Sequence, residues 1–244
     1  MKFERNSGIL LHPTSLPDSP VCGSFGEPAR VWLNELAASG IGVWQFLPLA
    51  PPDSFGSPYS SPSSFAFNPW FLDQNDLVRD GFLANSLEKF SSENNYFDNR
   101  VDSQLANSRV KLLRSFLVDY WDKQNRTTQE EFERWCSKQF WLDDHSIFME
   151  LKIQNNDLPW WEWPDKYAVR DKKELVNWKK NNQRELLGHN LLQWHLDRQW
   201  KSIRKLAKNL GIFLFGDVPF YVSKDSADVW SNRSLFSILT NSDT

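Results

Sequence analysis

Val43-Trp44-Gln45-Phe46-Leu47-Pro48-Leu49 is a short apolar run that leads into Gly56-Ser57-Pro58-Tyr59-Ser60-Ser61-Pro62-Ser63-Ser64-Phe65-Ala66-Phe67-Asn68-Pro69. The first stretch reads as a buried strand. The second has almost no charge, many hydroxyls and several rings. Hydroxyl and amide groups suit a ligand that is itself rich in hydroxyls. Tyr59, Phe65 and Phe67 offer flat faces on which a sugar ring can lie, and Tyr59 adds a polar tip. An ordinary proline-rich surface loop has the same composition, so the stretch by itself leaves both readings open.

Working outward, Gly8-Ile9-Leu10-Leu11-His12-Pro13-Thr14-Ser15-Leu16-Pro17 reads as a strand running into a polar loop, with Pro13 and Pro17 stopping the strand. The loop continues from Pro20 to Gly26. A helix is expected from Glu27-Pro28, where proline in the first turn gives up only an N–H that has no helical partner. Trp32, Leu33, Leu36 and Ala37 give that helix one apolar face, and Gly40 sits where a helix ends. The apolar run from Val43 to Leu49 follows at once. Strand, helix and apolar strand form a βαβ unit, so the two strands should be parallel.

A third helix–strand unit lies near the other end. Leu196, Trp200, Ile203, Ala207 and Leu210 recur at helical spacing and Gly211 closes the helix. Ile212-Phe213-Leu214-Phe215 then reads as a buried strand. It delivers Gly216-Asp217-Val218-Pro219-Phe220-Tyr221 to its carboxyl end, the edge that carries chemistry in a parallel α/β barrel. Asp217 is the carboxylate singled out there; a loop turn or a helix cap is its plainer role.

Between these units, from Leu72 to about Lys180, the pattern is helical. Val110, Leu113, Leu117 and Trp121 share one helix face. Thr128 and Glu131 have capping-box spacing, with Phe132, Trp135, Cys136 and Phe140 lining the helix they open. Polar clusters such as Ser91-Ser92-Glu93-Asn94-Asn95 interrupt the periodicity, and Leu158-Pro159-Trp160-Trp161-Glu162-Trp163-Pro164 is a loop dense in tryptophan. No strand signal of weight occurs. The organisation expected is two β/α units over 1–71, a mainly helical insertion over 72–180, and a third unit over 181–244. Charge clusters such as Lys172-Lys173-Glu174 and Lys179-Lys180 read as a solvated face.

Composition narrows the function. Among 244 residues, 28 Lys and Arg stand against 31 Asp and Glu, a net charge of −3. That near-balance argues against nucleic acid or an anionic membrane as the main partner. No run approaches the ~18 apolar residues of a membrane span, and Ile9-Leu10-Leu11 is too short for a secretory signal. Cys22 and Cys136 lack metal-type spacing, so free thiols in a reducing cytoplasm are expected. Tryptophan is abundant, 13 residues alongside 18 Phe; most must be core, with rings to spare for a carbohydrate groove. There is no P-loop, dinucleotide-binding glycine fingerprint, H-E-x-x-H, C-x-x-C or G-x-S-x-G. His12, His145, His189 and His195 show no metal-ligand pairing, and they read as core or solvated histidines.

Four segments resemble the 4-α-glucanotransferases (amylomaltases, or disproportionating enzymes) of glycoside hydrolase family 77, in their N-terminal half. They are Gly8 to Pro17, Trp44 to Pro69, Gln193-Trp194 through Trp200, and Gly211 to Trp230. The last carries Gly216-Asp217-Val218-Pro219-Phe220-Tyr221-Val222 and Asp225-Ser226-Ala227-Asp228-Val229-Trp230, the most specific pair. The similarity is thin between Leu83 and Asn155. The resemblance implies an α/β fold, a (β/α)8 barrel of which this chain would hold the first three strands plus a large helical insertion. It implies transfer of α-1,4-glucan segments between malto-oligosaccharides by a retaining double displacement, with an Asp nucleophile and a Glu acid/base, no metal and no cofactor. Tyr59 matches the tyrosine that stacks on sugar at the cleavage subsite, Ser57 a hydrogen-bonding neighbour, and Asp217 a carboxylate that binds sugar hydroxyls beside the nucleophile. By the same resemblance no catalytic residue falls in this chain, the nucleophile and acid/base being expected C-terminal to Thr244. A missing C-terminal half is then an expected partner. Three strands of a barrel leave an unpaired edge and an uncovered apolar face, so the isolated chain is expected to be unstable and inactive. The alternatives are a non-catalytic malto-oligosaccharide-binding fragment and an inactive gene remnant.

Overall fold

The structure is a computed structural model that describes residues 5–17, 21–84 and 101–238. The cluster Ser91-Ser92-Glu93-Asn94-Asn95, Pro20 and the final Asn241-Ser242-Asp243-Thr244 lie outside these residues.

The expected βαβ unit is present. β1 (Gly8–Leu10), α1 (Glu27–Ala38) and β2 (Val43–Gln45) follow in order. β1 pairs with β2 in parallel, Ile9 opposite Trp44. β3 (Phe213–Phe215) joins the other side of β2, also parallel, with Leu214 opposite Trp44. Glycine sets the exits of both helices that feed the sheet. Gly40 has φ +68° and Gly211 φ +72°, the left-handed conformation that glycine adopts without a Cβ penalty. Beyond them Ile41 N donates to Leu36 O and Ile212 N to Ala207 O, each at 2.9 Å, so the chain reverses from helix into strand.

The strands are shorter than the apolar runs suggest. Phe46 N still donates to Phe215 O at 3.0 Å, but Pro48 has no N–H to extend the ladder, and β2 gives way to loop. β3 is not the buried strand expected. Phe213 and Phe215 are more than half exposed, as is Leu10 on β1. The alternation of a strand explains this. The row Ile9–Trp44–Leu214 faces the helices, and Trp44 is fully buried there, its Nε1 donating to Leu11 O at 2.7 Å. The flanking rows, which include Phe213, Leu10 and Phe215, face away from that layer.

Between β2 and β3 the described residues hold helices and no strand: α2 (Gln74–Arg79), α3 (Ser103–Trp121), α4 (Arg126–Cys136), α5 (Leu142–Gln154), α6 (Asp165–Ala168), α7 (Lys172–Asn181) and α8 (Gln183–Asn209). A short α9 (Ala227–Ser231) follows β3. α4 does not use the capping box expected at Thr128. Asn125 caps it instead, its side chain accepting from Thr128 N at 2.9 Å, so the helix starts earlier. Phe140 falls beyond the end of α4 and is exposed rather than lining it.

Two cores result. In the larger, Leu33, Trp44, Phe71, Leu113, Leu191, Trp194, Leu196 and Ile203 bring α1, the sheet, α3 and α8 together. The smaller is built on Phe148, Trp160, Trp163, Trp178 and Trp230. The tryptophan-rich loop therefore supplies core, with Trp230 arriving from α9, past the Asp217 loop.

Candidate binding site at the carboxyl edge of the sheet

β2 and β3 are neighbours and parallel, so their following loops leave the same edge of the sheet. The β2 loop turns back on itself by local hydrogen bonds. Asp53 Oδ1 accepts from Phe55 N and Ser57 N, both at 2.9 Å, and Gly56 takes φ +85° between them. Ser57 then caps a short 3-10 turn over Pro58–Ser60, its Oγ accepting from Tyr59 N at 3.3 Å. This turn projects Tyr59 outward, 41% exposed.

The β3 loop brings Asp217 to meet it. Tyr59 Oη donates to Asp217 Oδ2 at 2.6 Å, and Asp217 Oδ1 accepts from Val218 N at 2.7 Å. That hydrogen bond, with the carboxylate's charge, holds the Tyr59 hydroxyl above the ordinary tyrosine pKa. All three residues singled out from sequence thus stand together, with Ser57 acting through the backbone of Tyr59. Phe220 and Tyr221, further along the β3 loop, are almost fully exposed.

Other loop residues have different work. Ser61 and Ser63 are buried, and their hydroxyls are engaged with the loop itself. Ser61 Oγ donates to Ser63 O at 2.7 Å, and Ser63 Oγ accepts from Phe65 N and Ala66 N at 3.2 Å. Phe67 packs against Phe25 and Trp200, so it is a core ring, whereas Phe65 remains exposed.

The sequence reading missed the groups that hold both loops. Gln193 on α8 accepts from Phe67 N and donates to Phe67 O, both at 2.9 Å. Gln199 does the same for Asp73, again at 2.9 Å. Each glutamine amide takes a backbone donor and acceptor that would otherwise be unpaired in a buried position. The β3 loop is held by the insertion. Lys152 on α5 pairs with Asp225, Trp160 N donates to Asp225 Oδ1 at 3.2 Å, and Trp160 Nε1 donates to Lys224 O at 2.7 Å. The two loops also meet a second time. Ser64 N donates to Asp228 Oδ2 at 2.9 Å and Ala227 N to Pro62 O at 2.9 Å. Burial pushes the Asp228 carboxyl above its usual range. Of these groups only Asp225 and Asp228 carried a signal in the sequence, as part of the segment that most resembles the family.

The histidines lie elsewhere. His145, His189 and His195 are buried; His189 Nε2 is 3.0 Å from Glu150 Oε2, with Arg114 alongside. Among the described residues no group of three or more His, Cys, Asp or Glu is placed to hold a metal ion. Nor is any described helix long and apolar enough to cross a membrane.

Comparison with known proteins gives a consistent result. A family model described as 4-alpha-glucanotransferase matches residues 11–242. A 4-alpha-glucanotransferase of Synechocystis sp. is 36% identical over 238 residues, covering 97% of this chain and 47% of the relative. One from Thermus thermophilus is 35% identical over 238 residues, covering 97% and 46%. Among solved structures, amylomaltase from Streptococcus agalactiae in complex with acarbose superposes with a TM-score of 0.89 at 28% identity, over 97% of this chain and 48% of that one. The chain thus spans about half the length of the curated relatives it matches, and it corresponds to their N-terminal half.

Proposed function

Because this chain belongs to the 4-alpha-glucanotransferase family, we propose that it supplies the donor-sugar contacts of a retaining transglycosylase acting on malto-oligosaccharides. The observation that carries the proposal is the Tyr59–Asp217 pair at the carboxyl edge of a parallel sheet. The acarbose bound to the Streptococcus agalactiae amylomaltase is a compatible ligand for such an edge.

In this reading the three strands are the first of a (β/α)8 barrel, residues 1–71 and 181–244 form barrel units, and 72–180 form the helical insertion. The exposed face with Phe213, Leu10 and Phe215 is the one that the remaining barrel strands enclose. Tyr59 lays its ring on the sugar face, and Asp217 accepts hydrogen bonds from sugar hydroxyls. In the structure these two groups satisfy each other, so a sugar hydroxyl entering between them replaces one charge-assisted hydrogen bond with another. Ser57 fixes the Tyr59 backbone. The insertion tie through Lys152 and Asp225 fixes the other loop. Nucleophile and acid/base come from the other half, as does the exclusion of water that lets a sugar hydroxyl act as acceptor. The setting proposed is the cytoplasm, with no cofactor.

The test is turnover. Residues 1–238 joined to the remainder of the Thermus thermophilus relative should release glucose from maltotriose, while the chain alone should not. A folded chimaera without activity overturns the proposal.

A further inference from the structure

A cavity lies between α2 and α8, lined by residues 76–80 and 195–202. It measures about 320 Å³, at the lower end of the roughly 300–1,000 Å³ of small-molecule sites. Arg79, Asp80, Lys201 and Ser202 stand exposed at its rim, while Asp76, His195 and Gln199 are buried. Most of these groups already have partners. Asp76 accepts from Arg30 at 2.7 and 2.9 Å and from Arg79 at 2.8 Å. Arg79 also donates to Asp80 at 3.0 Å, and Lys201 to Asp197 at 2.6 Å. The Gln199 amide is spent on Asp73. Two groups are left over. Arg198 is the lining cation that has, among the described residues, no carboxylate at hydrogen-bond distance. Asp80 Oδ2 is 3.9 Å away and Glu131 acts from further off. Phe82 at 4.5 Å and Trp194 at 5.1 Å hold its guanidinium in place. The other group is His195. Arg198 Nη1 lies 3.3 Å from His195 Nδ1. A guanidinium can only donate, so Nδ1 accepts and the ring proton sits on Nε2. Burial keeps this ring neutral. Nε2 is buried and, among the described residues, has no partner.

We propose that this cavity binds a small phosphorylated sugar, its phosphate on Arg198 and the His195 Nε2–H and its hydroxyls on Asp80 and Ser202. A buried N–H without an acceptor costs free energy that an anionic oxygen recovers. The planar guanidinium fork matches two oxygens of a phosphate, and the rings beside it fix its plane before the ligand arrives. Lys201, its side chain 62% exposed, adds positive charge at the rim. The other lining groups select the body of the ligand. Asp76 and Asp80 repel a second anionic group and accept from hydroxyls, so a monophosphate ester fits better than a diphosphate or a dicarboxylate. No aromatic ring besides that of His195 lines the cavity, and Leu77 is its one apolar residue. A nucleotide therefore finds no broad face for its base. The cavity shares no residue with the Tyr59–Asp217 contacts, and its chemistry stands whether or not the chain takes part in glucan transfer.

Calorimetric titration of the chain in phosphate-free buffer tests the site. Glucose 6-phosphate should bind once per chain with a Kd of about 0.1–1 mM. Inorganic phosphate and AMP should bind about tenfold more weakly, and glucose should give no heat. Arg198→Gln should weaken glucose 6-phosphate about tenfold or more. If that variant melts well below the parent, Lys201→Glu takes its place. Lys201 is exposed, so the fold is kept while the reversed charge should weaken binding by a similar factor. Tyr59→Ala should bind as the parent does. Absence of heat with glucose 6-phosphate up to about 10 mM overturns the proposal. So does inorganic phosphate or AMP binding as tightly as the sugar ester, or an affinity unchanged in both Arg198→Gln and Lys201→Glu. Binding lost in Tyr59→Ala and kept in Arg198→Gln overturns it as well, since the ligand then sits at the sheet edge. Maltotriose turnover by the chimaera stands or falls apart from all of these results.

Discussion

Tyr59 and Asp217 are 158 positions apart in the chain and 2.6 Å apart in space. Their shared edge was legible because each follows a short apolar run that reads as a strand, and parallel neighbours open at one edge; their roles came from the family resemblance. In the chimaera, Tyr59→Ala should lower kcat/KM for maltotriose by about ten- to a hundredfold, through loss of a stacking face and a hydrogen bond; an unchanged value contradicts the role. Asp217→Asn should cost more, since a carboxylate forms the stronger bonds to hydroxyls, and a smaller loss counts against it. What was not legible is which hydroxyls and rings of the same loop turn inward. Ser61, Ser63 and Phe67 look like Ser57 and Phe65 in sequence and differ only in packing. The buried histidines make a separate residue-scale prediction. Burial lowers His12 to about 4 and His145 to about 3, from an ordinary 6.5. His189 also faces Arg114 and Glu150, and the net effect on it is likewise downward, burial foremost. The unfolded chain therefore binds protons that the folded one refuses once pH drops below about 6.5. Stability should be full above that pH and fall by several kcal/mol as pH approaches 4. Thermal melts across pH 4–8 check this, and a Tm flat below pH 6.5 contradicts it.

At the scale of elements, α8 does two jobs. Its leucine and isoleucine stripe fills the larger core, and this was plain from helical spacing. Its two glutamines hold the backbones of Phe67 and Asp73, and this was not, because a buried glutamine has no periodicity that marks it. Gln193→Leu keeps the volume but leaves a donor and an acceptor unpaired. It should destabilise the chain by about 2–4 kcal/mol, read from urea denaturation; a cost below 1 kcal/mol would show that the clamp is dispensable. The helical character of the middle region was readable from its apolar faces. Its purpose was not. Lys152 and Trp160 tie the insertion to the β3 loop through Asp225, more than 60 residues away in sequence, and such partners cannot be paired from spacing alone. The buried strand expected at Ile212 to Phe215 failed for a related reason. An apolar run states that a face will be covered, and not by which chain.

For the whole molecule, the sheet has outer strands β1 and β3 and exposed apolar side chains, Leu10, Phe213 and Phe215, turned away from its helices. The chain by itself should associate at micromolar concentration, since open strand edges and exposed phenylalanines favour pairing between copies. Light scattering during purification reports this, and a monodisperse monomer with one sharp melt would contradict it. Joining the chain to the second half should abolish the association. The central claim is that the edge bearing Tyr59 and Asp217 is where a glucan sits. A crystal structure of the chimaera with acarbose tests it most directly. The account predicts a sugar ring within about 4 Å of the Tyr59 ring and a sugar hydroxyl about 3 Å from an Asp217 oxygen; acarbose bound with neither residue in contact would contradict it.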